Sequence, residues 1–139
     1  MLNVRPHMLR RTAARIIGAG LALLAFRTRS ASASEALQDA EAISELRRAG
    51  SDLTKPQTVA FYVYAYTRAA ASSVAEALGK RGYAVTVRPA AIGNMPWLIL
   101  ATRSMLVSVE SIGRSARLIR EEVSRHGGEY DGWEAGVSE

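Results

Sequence analysis

TVAFYVYAYT, residues 58–67, carries the clearest strand pattern of the chain, because it is rich in β-branched and aromatic residues. Successive side chains of a strand point to opposite faces. The apolar residues at alternate positions would share one face: Val59, Phe61, Val63 and Ala65. The tyrosines between them would share the other: Tyr62, Tyr64 and Tyr66. We therefore expect a strand with one face in the core and a half-buried face of tyrosines.

The segments that follow this strand alternate between helix and strand patterns. Residues 68–81 are alanine-rich and helical in pattern, and Gly82 would end that helix. Residues 83–88 alternate as a second strand, and a loop of hairpin length follows at 89–96. Residues 97–102, WLILAT, form a near-continuous apolar run, which is typical of a central strand buried on both faces.

A second long helix is predicted from a cap at Ser108 to about His126, where two glycines end it. Its inward stripe would consist of aliphatic residues at helical spacing: Val109, Ile112, Ala116, Ile119 and Val123. Its charged residues would point to water: Arg114, Arg117, Glu121 and Glu122. A short strand at 130–137 would close the chain.

Upstream of the first strand, Ser34 can cap a helix that begins at Glu35 and ends before Gly50. Its apolar stripe would be Leu37, Ala40, Ile43 and Leu46. After this helix the order is strand, helix, strand, strand, helix, strand, and crossovers of this kind are right-handed. The prediction is an α+β fold: a ferredoxin-like split βαβ sandwich, with four antiparallel strands, two helices on one face and an additional N-terminal helix.

The basic character of the chain is confined to its first 34 residues. The formal net charge is +5 over 139 residues, but residues 1–34 hold six arginines and no acid: Arg5, Arg10, Arg11, Arg15, Arg27 and Arg29. Residues 35–139 hold 12 basic and 13 acidic side chains, a net charge of −1. That portion has no global electrostatic preference for nucleic acid, although a local basic patch remains possible.

Residues 1–34 are expected to be a leader, and residues 35–139 the domain. The apolar run at 16–26, IIGAGLALLAF, is too short for a stable membrane span. An export signal cleaved near Ala33, a twin-arginine signal, an organellar transit peptide and a dispensable extension all remain open. The expected location is cytoplasmic, with export or membrane association through residues 1–34 as the alternative.

The sequence offers no catalytic, metal or cofactor motif. It contains no cysteine, and its two histidines, His7 and His126, lie far apart. Phosphate-binding loops and the signatures of metalloproteases and serine hydrolases are missing. The remaining enzymatic alternative is the acid cluster of Glu129, Asp131 and Glu134, in which Glu129 and Asp131 would share a strand face. We therefore expect a protein that is not an enzyme.

Direct binding of RNA is not expected either. Some sandwiches of this kind stack bases on aromatic side chains of the sheet face, which the tyrosine row would permit. Such a module also needs an aromatic, basic segment on its third strand. In this chain that strand reads WLILAT, with Trp97 as its single aromatic residue.

The segment EYDGWE, residues 129–134, is the most distinctive motif of the chain. Glycines beside an aromatic pair would present Tyr130 and Trp133 from a short strand, and amphipathic rings are favoured anchors of protein interfaces. The alternative is that both rings close the core. The candidate partner-binding residues are Tyr130, Asp131, Trp133 and Glu134.

This segment is similar to the C-terminal signature of the regulators of ribonuclease E activity, type B, the RraB family. Four other segments resemble the same family in the same order: LRRAGSDLTKP at 46–56, AFYVYAYT at 60–67, GYAVTVRPA at 82–90 and WLILATRSM at 97–105. The resemblance extends over about residues 36–137 and leaves out the leader.

The resemblance implies a cofactor-free ferredoxin-like sandwich. It also implies a bacterial, non-catalytic regulator that binds and inhibits a ribonuclease E-type endoribonuclease by contacting the enzyme and not its RNA. The best-characterised members are acidic, whereas this chain has a basic leader. Because one fold hosts many functions, the alternative is a small α+β domain of unrelated function, a homo-oligomer or an exported protein, that shares the fold alone.

Overall fold

The computed structural model of this chain describes residues 31–90 and 95–136. Within these ranges the helices are α1 (Ala31–Arg48), α2 (Arg68–Lys80) and α3 (Val109–His126). The strands are β1 (Gln57–Ala65), β2 (Ala84–Pro89), β3 (Trp97–Met105) and β4 (Gly128–Ala135). The predicted leader up to residue 30 and the end of the predicted last strand lie outside the described residues.

The four strands form one antiparallel sheet in the order β2-β3-β1-β4. Strand β1 is central, with Phe61 opposite Ala101 of β3 and Trp133 of β4. Both α2 and α3 connect strands that are not neighbours in the sheet, which is the arrangement of a split βαβ unit. The predicted α+β fold, with an additional N-terminal helix, is confirmed.

The core lies between the sheet and the helices. From the sheet it contains fully buried side chains of β1 and β3, among them Val59, Phe61, Val63 and Ile99. From the helices it contains Ala71, Val74 and Leu78 of α2 and Ile112, Ile119 and Val123 of α3. The ring of Phe61 meets the ring of Tyr83 edge to face at a centroid distance of 5.9 Å.

The open face of the sheet carries a smaller apolar cluster. Tyr62 and Tyr64 are buried there beside Met95 and Leu98. Tyr66 follows the end of β1 and is exposed. The tyrosine face is therefore more deeply buried than the sequence predicts at two positions, and its rings offer little surface on which a base could stack.

Helix α1 differs from the prediction in its start and in its inward stripe. It begins at Ala31 and not at Glu35, because alanine favours the helix and the serines there do not interrupt it. Leu37 is 69% exposed, whereas Ala42 and Ile43 are buried. The buried face runs through positions 39, 42, 43 and 46. The half-buried Asp39 is part of this face, whereas Leu37 of the predicted stripe is not.

Helix α3 has a wider buried face than the aliphatic stripe indicates. Val109, its first residue, is 36% exposed and does not belong to the buried face. Glu122, expected to point to water, is only 6% exposed. Its carboxylate accepts hydrogen bonds from Arg81 at 3.1 Å and Arg125 at 3.3 Å. The prediction was wrong at this position because a buried carboxylate needs a partner, and Arg81 comes from a distant part of the chain.

None of the helices within residues 31–90 and 95–136 combines the length and apolar character that a membrane span requires.

Candidate functional site

A β-bulge in β4 determines how the EYDGW segment is displayed. Along the pairing with β1, Gly132 lies opposite Tyr62 and Tyr130 lies opposite Val63, which leaves Asp131 as the inserted residue. Tyr130 and Trp133 are three positions apart and would lie on opposite faces of a regular strand. Because the bulge adds one residue, both rings reach the helix-facing side of the sheet.

The Asp-Gly pair between the two rings is the sequence that forms this bulge. Gly132 has a φ of +124°, a conformation that L side chains rarely adopt. The bulge also overturns the expectation that Glu129 and Asp131 share a face. Glu129 pairs with Tyr64, while Asp131 is taken out of the alternation. Within the described residues no group of acids and histidines is arranged to hold a metal ion.

Trp133 connects the sheet edge to α1. Its ring is only 7% exposed and lies opposite Phe61. Its indole Nε1 donates a hydrogen bond of 2.8 Å to Oδ1 of Asp39. Burial of the apolar ring and satisfaction of its polar handle together attach β4 to the N-terminal helix.

Arg120 of α3 completes this connection. Its guanidinium carbon lies 4.8 Å from the centroid of the Tyr130 ring, a cation–π distance. Nη1 donates to Oε1 of Glu35 at 3.0 Å, and Nη2 contacts Oε2 of the same carboxylate. Arg120 therefore joins α1, α3 and β4.

These side chains line a cavity of about 240 Å³. We call its charged and aromatic lining the β4 cluster: Glu35, Asp39, Arg120, Tyr130, Asp131 and Trp133. The residues that line the cavity include no serine, cysteine or histidine. The cluster therefore offers a surface of charged and aromatic side chains.

Comparison with protein families identifies the chain. The family model described as regulator of ribonuclease activity B, RraB, matches residues 37–135. The chain belongs to this family. The match runs from α1 to the last residue of β4 and so includes the whole described sheet and the EYDGW segment. Comparison with individual curated proteins gives no match.

The assignment confirms the resemblance predicted from the sequence. RraB proteins regulate ribonuclease activity, so the chain is a regulator of this class and its family is one of regulators and not of catalysts. The bulged aromatic pair is therefore a feature of a protein that belongs to a family of regulators.

The structure gathers three of the four predicted site residues. Tyr130, Asp131 and Trp133 line the cavity. Glu134 lies opposite Ala60 on the open face, where its carboxylate lies 3.4 Å from the hydroxyl of Tyr62. Sequence reasoning missed Glu35, Asp39 and Arg120. Only Asp39 could have been found from the sequence pattern. It lies three and four positions before Ala42 and Ile43, on the helix face that is buried.

Burial changes the acid–base properties of the β4 cluster. Desolvation raises the pKa of Asp39 from 3.8 to about 6, an effect that the hydrogen bond from Trp133 opposes. The neighbouring carboxylate of Glu35 raises this pKa further, and the charge of Arg120 lowers it. Burial, followed by the charge of Asp39, raises the pKa of the Tyr130 phenol well above 10.0. At neutral pH the tyrosine hydroxyl therefore keeps its proton.

The stability of the fold is expected to depend on pH through Asp39. Because its pKa is higher in the folded chain than its ordinary value, the folded state binds the proton more tightly. The stabilisation that this tighter proton binding gives to the folded chain is fully present below pH 3.8 and is lost as the pH rises to about 6. It amounts to no more than about 3 kcal/mol. Asp39→Asn keeps an acceptor for Trp133 and should remove this loss, so the variant unfolds at higher urea concentration than the native chain at neutral pH.

Urea unfolding of both proteins across this pH window measures the effect. Asp52 provides the control, because hydrogen bonds from Thr54 lower its pKa. Asp52 therefore stabilises the fold above its unfolded pKa, and this stabilisation is lost as the pH falls. Asp52→Asn should change the slope of the unfolding free energy against pH in the direction opposite to Asp39→Asn. If the unfolding free energies of Asp39→Asn and the native chain depended equally on pH, the raised pKa of Asp39 would be contradicted.

Proposed function

We propose that this chain binds a ribonuclease E-type endoribonuclease and inhibits its cleavage of RNA through contact with the enzyme, without itself catalysing a reaction. The observation that carries the proposal is the RraB family match from α1 to the end of β4. The cavity of the β4 cluster, with its charged and aromatic lining, fits a role in protein recognition.

The proposed contact surface is the edge formed by β4. This strand is at one end of the sheet order, so its outer backbone groups are not paired with another strand of the sheet. Tyr130, Asp131 and Glu134 are half-buried and thus partly accessible to a partner. Trp133 has a supporting role, since its buried ring and its bond to Asp39 hold the strand in place.

Charge favours a protein partner over direct contact with RNA. Residues 35–139 carry a net charge of −1. Three of their carboxylates, Glu129, Asp131 and Glu134, lie in the β4 segment and would repel a phosphate backbone. Regulation of RNA decay would then act through the enzyme.

Titration calorimetry with the full chain and a purified ribonuclease E-type enzyme from the same organism tests this binding. We expect a saturable complex that persists after removal of all RNA. Heat that disappears when RNA is removed would contradict a direct protein contact. Self-association of the chain without any binding of the enzyme would favour the homo-oligomer alternative.

The two acids of the proposed surface are expected to affect binding and not folding. Asp131→Ala combined with Glu134→Ala should change the free energy of unfolding by less than about 1 kcal/mol, because both residues are partly exposed. The same double variant should weaken binding of the ribonuclease about tenfold. Thermal melting and calorimetry on the same protein sample separate the two effects.

The control variant is Glu41→Ala combined with Glu76→Ala, which removes two exposed carboxylates away from β4. It should bind the ribonuclease like the native chain. Equal weakening by both double variants would show a general charge effect and would exclude β4 as the contact surface.

The proposal also assigns a place to the two parts of the chain. Residues 35–139 are proposed as the ribonuclease-inhibitor-like domain, and residues 1–34 as a leader. The activity requires the domain to be in the cytoplasm with the enzyme. Fractionation of the native cells should find the chain there, and recovery from the exported fraction alone would contradict the proposal.

A further inference from the structure

A groove along α3 is rich in arginine. It runs between α3, the turn before β2 and the end of β3, with a volume of about 540 Å³. Four arginines line it: Arg81, Arg103, Arg114 and Arg117. Glu121 is the single acid among the lining residues. The groove therefore has a local positive charge that the net charge of the domain conceals.

Three of these arginines are available to a ligand. Arg103, Arg114 and Arg117 are exposed, and none of the carboxylates in residues 31–90 and 95–136 forms an ion pair with them. Arg81 shares the carboxylate of Glu122 with a second arginine. Within the described residues the guanidinium groups of Arg103, Arg114 and Arg117 are thus not held in ion pairs.

The side chain of Arg103 rests on a buried aromatic ring. Its guanidinium carbon lies 5.1 Å from the centroid of the Tyr83 ring. Tyr83 is itself buried, and its hydroxyl lies 3.0 Å from Oγ of Ser115. A guanidinium that rests on a fixed ring loses less freedom when it binds a carboxylate.

The groove also offers an apolar surface. Leu106 lines it and is 54% exposed. Met105 and Leu118 lie beside it and are half-buried. An exposed leucine between arginines suits a ligand that carries both negative charge and an apolar side chain.

We propose that this groove binds a short acidic segment of a protein partner, with at least one large apolar side chain. Guanidinium groups bind carboxylates through two parallel hydrogen bonds, which matches the arginines of the rim. The apolar side chain would cover Leu106. The volume lies within the range of ligand pockets, about 300–1,000 Å³, which limits the occupant to a short segment. This inference does not depend on the identity of the ribonuclease.

The lining favours a protein segment over single-stranded RNA. RNA-binding grooves combine cations with aromatic faces on which bases stack. The single aromatic residue among the lining residues is Tyr83, which is buried beneath Arg103. The aliphatic surface around Leu106 supplies no such platform.

Fluorescence anisotropy with the full chain and a labelled synthetic peptide of glutamates and leucines tests the proposal. Arg114→Glu combined with Arg117→Glu should weaken peptide binding at least about tenfold, because it replaces attraction by repulsion. The matched control, Arg47→Glu with Arg48→Glu, changes the net charge equally at exposed positions of α1 and should stay within about twofold of the native chain. The arginines of residues 1–34 are present in every variant, so their contribution to peptide affinity cancels when variants are compared.

A third variant separates the apolar contact from charge. Leu106→Ser should weaken binding of the leucine-containing peptide and leave binding of an all-glutamate peptide unchanged. Equal losses in the groove variant and the α1 control would overturn the proposal. It would also be overturned if an RNA oligonucleotide bound more tightly than the peptide and lost its affinity in the Arg114 and Arg117 variant. Both results are independent of ribonuclease binding by β4.

Discussion

Replacement of Trp133 by alanine is expected to lower the free energy of unfolding by about 3 kcal/mol or more. The substitution removes a large ring from a site where it is only 7% exposed and packs opposite Phe61. It also removes the indole donor and leaves the half-buried carboxylate of Asp39 without that hydrogen bond. The melting temperature should fall by roughly 10 °C or more.

Trp97→Ala is the matched control for this prediction. Trp97 begins β3 and is half-buried at the rim of the core, beneath the guanidinium of Arg68 at 5.4 Å. Removal of this ring should lower the free energy of unfolding by less than removal of the Trp133 ring, by about 1–2 kcal/mol. If Trp133→Ala melted at the temperature of the native chain, the connection between α1 and β4 would not stabilise the fold.

Gly128→Ala should destabilise the fold by about 2–3 kcal/mol, because the added methyl group has no room. A Cβ atom at this position would overlap the backbone carbonyl oxygen of Tyr64 and also meet the backbone of Ala65. Those atoms belong to the central strand β1, which is paired on both sides. Relief would therefore require a shift of the sheet, and urea unfolding measures its cost.

Gly136→Ala is the corresponding control, a few residues further along. A Cβ atom there meets nothing within 4 Å, and the residue is exposed. The unfolding free energy of this variant should stay within about 0.5 kcal/mol of the native value. Similar losses at both glycines would show that the close approach at Gly128 is not what makes glycine necessary there.

The element order of this fold follows from local sequence patterns. The strand at β1 and the helix at α3 have strong periodicity, and the predicted cap at Ser108 forms as a hydrogen-bonded N-cap. A strict alternation of faces, however, cannot reveal an inserted residue. The bulge at Asp131 was therefore missed, although the Asp-Gly pair between two rings was the visible sign of it.

The candidate site was predictable only in part, because its members come from distant parts of the chain. Trp133 and Asp39 are 94 positions apart, and Arg120 and Glu35 are 85 positions apart. Local patterns identify an aromatic ring or a charge but not its partner. The same reason explains Glu122, whose burial depends on Arg81 at the end of α2.

The rate of RNA cleavage by the purified ribonuclease E-type enzyme, measured against increasing concentration of the full chain, tests the central claim most directly. We expect the rate to fall to a plateau with the native chain. The Asp131 and Glu134 double variant should need about tenfold more protein for the same inhibition, while the Glu41 and Glu76 control should act like the native chain. A cleavage rate that stays constant up to a large excess of the folded chain would contradict direct inhibition of the enzyme.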